Sequence, residues 1–136
     1  MSEHEFIKDL REKCESFDLI FTDIHIHIEK LVEPENIKFF YITKETRPDE
    51  KNLILDILII TNNSVCIGYT LYKDGRTKSA KFLMRDISSI KIESDEKFVK
   101  IELIYLRRGW TIVDTKSNEE KIKEFHLNML SVWKVN

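Results

Sequence analysis

Residues 53–72, LILDILIITNNSVCIGYTLY, decide the fold. Two runs of strand length, LILDILII (53–60) and VCIGYTLY (65–72), are rich in the β-branched and aromatic residues that suit a pleated surface. Between them the polar TNNS contains Asn62-Asn63, a pair that tolerates the left-handed backbone of a tight hairpin. The stretch is predicted to be a β-hairpin.

The period of two continues on both sides. IKFFYIT (37–43) precedes the hairpin across the loop KETRPDEKN. After the turn KDGRTKS come AKFLM (80–84), ISSIKIE (87–93) and FVKIELIYL (98–106), and RRG turns the chain into WTIVDT (110–115). In FVKIELIYL, Val99, Ile101, Leu103 and Tyr105 fall on one face and Lys100 and Glu102 on the other, the alternation of a half-buried antiparallel strand. Seven strands are expected.

Helical spacing marks both ends. Ser2-Glu3-His4-Glu5 has the form of a capping box, and Phe6, Leu10, Cys14 and Phe17 recur at helical intervals, so residues 3–17 read as an amphipathic helix. FTDIHIHIEKLVEP is ambiguous. Ile24, Ile26 and Ile28 alternate like a strand, whereas Ile24, Ile28, Leu31 and Val32 fit a helix that Asp23 could cap and Pro34 could stop. A helix is preferred, with both readings of residues 23–33 left open. Ser117-Asn118-Glu119-Glu120 is a second capping box, opening a helix to about residue 133 whose apolar stripe is Ile122, Phe125, Met129 and Trp133. Such a stripe must lie on something apolar, and the open end of a curled sheet is the surface on offer.

With 136 residues, 42% hydrophobic and 34% charged, the chain is long enough for one domain that buries a core without disulfides or metal. The expected layout is a helical extension over residues 1–34 packed on a barrel-plus-helix over residues 35–136, folding as a single domain. The net charge of −2 hides an asymmetry: residues 1–36 hold ten acids and four bases, residues 37–136 fourteen acids and eighteen bases. A nucleic-acid-binding face would be far more basic. No apolar run reaches the ~20 residues of a membrane-spanning helix. The charged start MSEHEFIKDLREKCE is unlike a secretory signal, and Cys14 and Cys66 lack C-x-x-C spacing, so reduced, buried thiols in a cytoplasmic protein are expected.

Seven short antiparallel strands followed by one amphipathic helix resemble the pleckstrin-homology superfamily, in particular its small bacterial and GRAM-like members. LVEPENIKFFYI (31–42) is similar to the family's lead into its first strand. LILDILIITNNSVCIGYTLY with FLMRDISSIKIE looks like its hairpin and the turn into strand five, and WTIVDTKSNEEKIKEFHLNML like its last strand and helix. The likeness covers most of residues 31–133, although Phe125 stands where the family usually has Trp, and Trp133 comes two turns later. It implies a mainly β fold with α: a seven-stranded, partly open antiparallel barrel closed by the C-terminal helix. In phospholipid-binding members the ligand sits among the loops joining strands one–two, three–four and six–seven. The matching loops here hold Lys44, Arg47 and Lys51; then Lys73, Arg76, Lys78 and Lys81; then Arg107 and Arg108. Cations around one rim would attract an anionic headgroup, and arginine holds phosphate bidentately. Against that, Glu45, Asp49 and Glu50 offset the first loop, and LILDILII has no base where inositol-phosphate binders alternate them. The cluster around Asp74-Gly75 therefore reads first as the solvated tip of a hairpin.

The chain carries no recognisable chemistry. His25 and His27 are two apart, His4 and His126 stand alone, and no further pair completes the three or four ligands that zinc needs. Phosphate-cradling loops, a nucleophile elbow and H-E-x-x-H are absent. Cys66 lies on an apolar strand without an evident base, and Glu119, Glu120 and Glu124 suit a helix start. Phe39, Phe40, Tyr41, Tyr69, Tyr72 and Tyr105 mostly alternate into the predicted core rather than along a basic groove. The expectation is no enzyme, no metal or cofactor and no nucleic-acid partner. What remains is a protein-binding adaptor in the cytoplasm, self-pairing included, with peripheral binding to anionic lipid at the inner face of the membrane as the alternative. A small-molecule carrier is disfavoured by the large side chains expected inside.

Overall fold

The computed structural model describes residues 4–44 and 53–135. Two helices, α1 (Glu5–Ser16) and α2 (Phe21–Glu29), open the chain. Seven strands follow: β1 (Ile37–Thr43), β2 (Leu53–Thr61), β3 (Val65–Tyr72), β4 (Thr77–Leu83), β5 (Ile87–Ser94), β6 (Phe98–Tyr105) and β7 (Arg108–Thr115). Helix α3 (Glu119–Val135) comes last. The protein is mainly β with α, but its strands form two antiparallel sheets, β1-β2-β3-β4 and β5-β6-β7. Among the described residues no ladder joins β4 to β5 or β7 to β1, so the seven strands do not close into a single hydrogen-bonded barrel.

Local chemistry explains the element ends. His4 caps α1 through Nδ1, which accepts the Phe6 N–H at 3.1 Å; Ser2 of the expected capping box lies outside the described residues. In residues 21–29 the helical period wins over the alternating one: Ile24 and Ile28 are buried, whereas Ile26 is 53% exposed. The β2–β3 hairpin puts its left-handed residue at Ser64 (φ 62°) rather than at Asn62 or Asn63. Gly75 (φ 87°) supplies the same turn geometry between β3 and β4. That turn is shorter than expected, so Lys78 joins Lys81 in strand β4, and neither lies in the loop where the family likeness would use them. Between β6 and β7 both central residues, Leu106 (φ 45°) and Arg107 (φ 67°), are left-handed, and Arg108 already pairs with Tyr105 as part of β7. Ser117 does not cap α3. It lies in a 3-10 turn, and its hydroxyl meets Thr115 Oγ1 at 2.8 Å.

The central strands β2 and β3 of the four-stranded sheet are buried on both faces. Leu55, Ile57, Ile59, Ile67 and Tyr69 point outward and are covered by Phe6, Ile7, Leu10 and Cys14 of α1 and Ile24 and Ile28 of α2. Leu58, Ile60, Cys66 and Phe82 point inward to Val99, Ile101, Leu103, Trp110 and Ile112, with Ile122, Phe125, Met129 and Val132 of α3 completing that layer. Burial on two faces is why LILDILII is a continuous apolar run instead of an alternating one. Each such side chain contributes about 1.5–3 kcal/mol on removal from water. Trp133 is half-buried and its indole N–H donates to Ile87 O at 3.1 Å, tying α3 to the start of β5.

Strand β7 crosses the inner face of the first sheet. Its Trp110 lies against Gly68 of β3, with Lys78 Nζ of β4 5.2 Å from the indole ring. Three residues on, Val113 O accepts from Thr43 Oγ1 of β1 at 3.4 Å, and Asp114 Oδ2 accepts from the Tyr41 hydroxyl. Such a close approach needs a small residue where the crossing strand comes nearest. Gly68 provides it.

Candidate functional site

The cations singled out from the sequence occupy separate settings. Arg76 donates from Nε to Asp74 Oδ2 at 2.7 Å, and its guanidinium lies 4.8 Å from the centre of the Tyr72 ring. The Asp74 carboxyl is correspondingly held below its usual value, first by the Arg76 backbone N–H and then by its side chain. Lys73 is exposed in the turn, and Lys78 is spread over Trp110. Lys81 points to the opposite face of β4 and lines a recess with Glu29, Glu33 and Glu35. Lys44 Nζ sits 4.9 Å from the centre of the Phe17 ring. Arg107 and Arg108 are exposed at the β6–β7 turn beside Leu106, itself 69% exposed; Arg47 and Lys51 lie outside the described residues. Three of the cations are thus laid on aromatic rings of their own chain, and Lys81 is turned away from the others.

A wide concavity lies elsewhere. Among the described residues β1 pairs with β2 alone, and its other edge faces a groove of ≈ 700 Å³. One wall is α1, through Glu5, Asp9, Glu12 and Lys13; the other is α3, through Lys121, Glu124 and Asn128. The residues of β1 alternate between them. Phe40 and Ile42 turn to the α1 side, where Phe40 meets Phe6 edge-on at 5.2 Å between ring centres. Phe39 and Tyr41 turn to the α3 side, where Tyr41 lies 5.7 Å from Phe125. Lys38 sits at a register shift at the start of the strand, which leaves residues 39–43 as its regular run.

Beneath the groove, Asp114 locks three elements together. Its carboxylate takes the Tyr41 hydroxyl of β1 on Oδ2, and on Oδ1 it takes the Thr115 N–H (2.7 Å) and Asn118 Nδ2 (3.1 Å) at the start of α3. Burial, reinforced by the hydrogen bond to Asp114 and its charge, pushes the Tyr41 phenol far above its ordinary range. The group is a fixed donor, not a proton shuttle.

Other chemistry-bearing residues are engaged in packing. His27 Nδ1 is 3.0 Å from Tyr69 Oη, and His25 stacks on Phe21 at 4.9 Å while reaching Glu29 at 3.3 Å, so the two histidines do not converge. Among the described residues no group of three His, Cys, Asp or Glu is placed to hold a metal. Cys14 and Cys66 are free and buried, and burial raises both thiols above their ordinary value. No helix among the described residues is long and apolar enough to cross a membrane.

The groove was not foreseen from sequence. Its signal is IKFFYIT, a strand with a single charge, next to an N-terminal helix rich in acids. No protein-family model, curated protein or solved structure matches the chain.

Proposed function

We propose that the chain is a non-catalytic interaction module, a small relative of pleckstrin-homology-like domains in the form of a partly open barrel, that binds another protein in the cytoplasm. Its docking element is the edge of β1, which takes an extended segment of the partner as an added strand. The observation that carries this reading is the edge itself: residues 39–42 carry no charge and, among the described residues, pair with no strand on the groove side. The exposed edges are guarded differently. β4 carries Lys78 and Lys81, and β5 carries Lys91 and Glu93, the charges by which soluble proteins discourage edge-to-edge pairing. β1 is guarded by recession between α1 and α3. A recessed edge admits one extended chain but not the equally recessed β1 of a second copy, which favours a foreign segment over self-pairing.

A second reading, contact with an anionic membrane surface, rests on the β6–β7 tip, where exposed Leu106 precedes Arg107 and Arg108. One experiment separates the two. The isotopically labelled chain is titrated with seven-residue segments selected from a displayed random library, and separately with anionic vesicles. Backbone amide shifts centred on residues 38–42 and on the facing sides of α1 and α3 support strand addition. Silence there, with vesicle-dependent changes at residues 73–76 and 106–108, overturns it in favour of the membrane.

A further inference from the structure

We infer that the segment taken up by β1 is two-faced, with basic residues at the central positions turned toward α1 and apolar residues at the alternate positions turned toward α3. The inference rests on reading β1 as the docking edge and specifies what that edge selects.

Side chains of an added strand alternate between the faces of its sheet, so each parity meets a different wall. On the α1 side the wall is acidic along its middle. Glu5, Asp9 and Glu12 face the groove, and the one cation among them, Lys13, is already held by Asp9 at 3.1 Å. Cations in and just after β1 bracket this stretch: Lys38 lies at one end over Phe39 (5.7 Å), and Lys44, following the strand, at the other over Phe17 (4.9 Å). A lysine or arginine at a central position can lay its stem along Phe40 and present its head to Glu5 or Glu12. On the α3 side Lys121 and Glu124 offset one another, and the surface beside the strand is the ring of half-buried Phe39 next to Tyr41 and Phe125. Apolar side chains suit that parity.

Three seven-residue peptides matched to the length of β1, alternating Val with Lys, Ser or Glu, test this by fluorescence anisotropy at low salt. The Lys–Val peptide should bind about five- to tenfold more tightly than Ser–Val, the range that two exposed charge pairs supply, and the Glu–Val peptide more weakly. Most of the difference should vanish in about 0.5 M salt. Glu5→Lys with Glu12→Lys should reverse the order of the Lys–Val and Glu–Val peptides and leave Ser–Val unchanged. Equal binding of all three peptides to both proteins, with amide shifts still at residues 38–42, overturns the charge preference and leaves strand addition standing. No shift at residues 38–42 with any peptide removes both.

Discussion

Substituting Gly68 by alanine probes the step that arranges the sheets, the crossing of β7 over the first sheet. A methyl built on Gly68 would lie 2.5 Å from Cζ2 and 2.9 Å from Cδ2 of the Trp110 indole, and closer still to Cε2. Carbon atoms rest at about 3.5–4.0 Å, so the ring would have to retreat by roughly 1 Å. It has little room to do so. Trp110 is 5% exposed, and its strand is paired residue by residue with β6. Over-packing of this kind costs about 1–3 kcal/mol, against which the loss of glycine's freedom in the unfolded chain returns ~0.4–1 kcal/mol. The net expectation is destabilisation of about 1–2 kcal/mol. Urea unfolding followed by circular dichroism should show a lower midpoint at unchanged slope. Trp110→Leu removes the obstacle, so adding Gly68→Ala to it should cost close to nothing, and the double-mutant cycle should return a coupling of about 1–2 kcal/mol. If Gly68→Ala costs nothing with Trp110 in place, or the same in both backgrounds, β7 does not cross where described.

Further outcomes are as specific. Leu106→Asn with Arg107→Gly places at both left-handed positions the residues that adopt them most easily, and should raise stability by about 1 kcal/mol by thermal or urea unfolding. Tyr41→Phe leaves a buried Asp114 oxygen without its hydroxyl donor and should cost about 1–3 kcal/mol. Burial lowers the folded-state pKa of His126 below its ordinary 6.5, so the unfolded chain binds the proton first; stability should fall as pH drops through 6.5, and His126→Gln should remove that part of the slope. Cys14 and Cys66 should resist a neutral thiol reagent at pH 8 in the native chain and react fully in urea.

What could be read in advance was whatever depends on near neighbours. Strands with period two, such as Val99 to Tyr105, and turn residues such as Gly75 act within a few positions, and the structure has them where expected. The ambiguity of residues 23–33 was genuine, because Ile24 and Ile28 serve both a helix and a strand; the solvent exposure of Ile26 breaks the tie, and it depends on packing against the sheet. The close approach of β7 to the first sheet brings Gly68 against Trp110, 42 positions away, which no local pattern records. The candidate cations were named by loop position alone. The β3–β4 turn is shorter than its polar residues suggested, so Lys78 is in β4 with Lys81, and being three apart on one strand they lie on opposite faces.

The groove was out of reach for a related reason, and it shows what the N-terminal helices do. α1 has one apolar side, Phe6, Ile7, Leu10 and Cys14, that covers the outer face of the first sheet, and an acidic side that becomes a groove wall only once the first has docked. The same holds for α3: Ile122, Phe125 and Met129 fill the space between the sheets, and that seating is what turns Lys121 and Glu124 toward β1. An uncharged edge strand on an open sheet would invite indiscriminate pairing. Between two helices fixed by the core, the same strand is accessible only to a narrow chain with side chains that suit both walls. Selectivity and core packing are therefore carried by opposite sides of the same two helices.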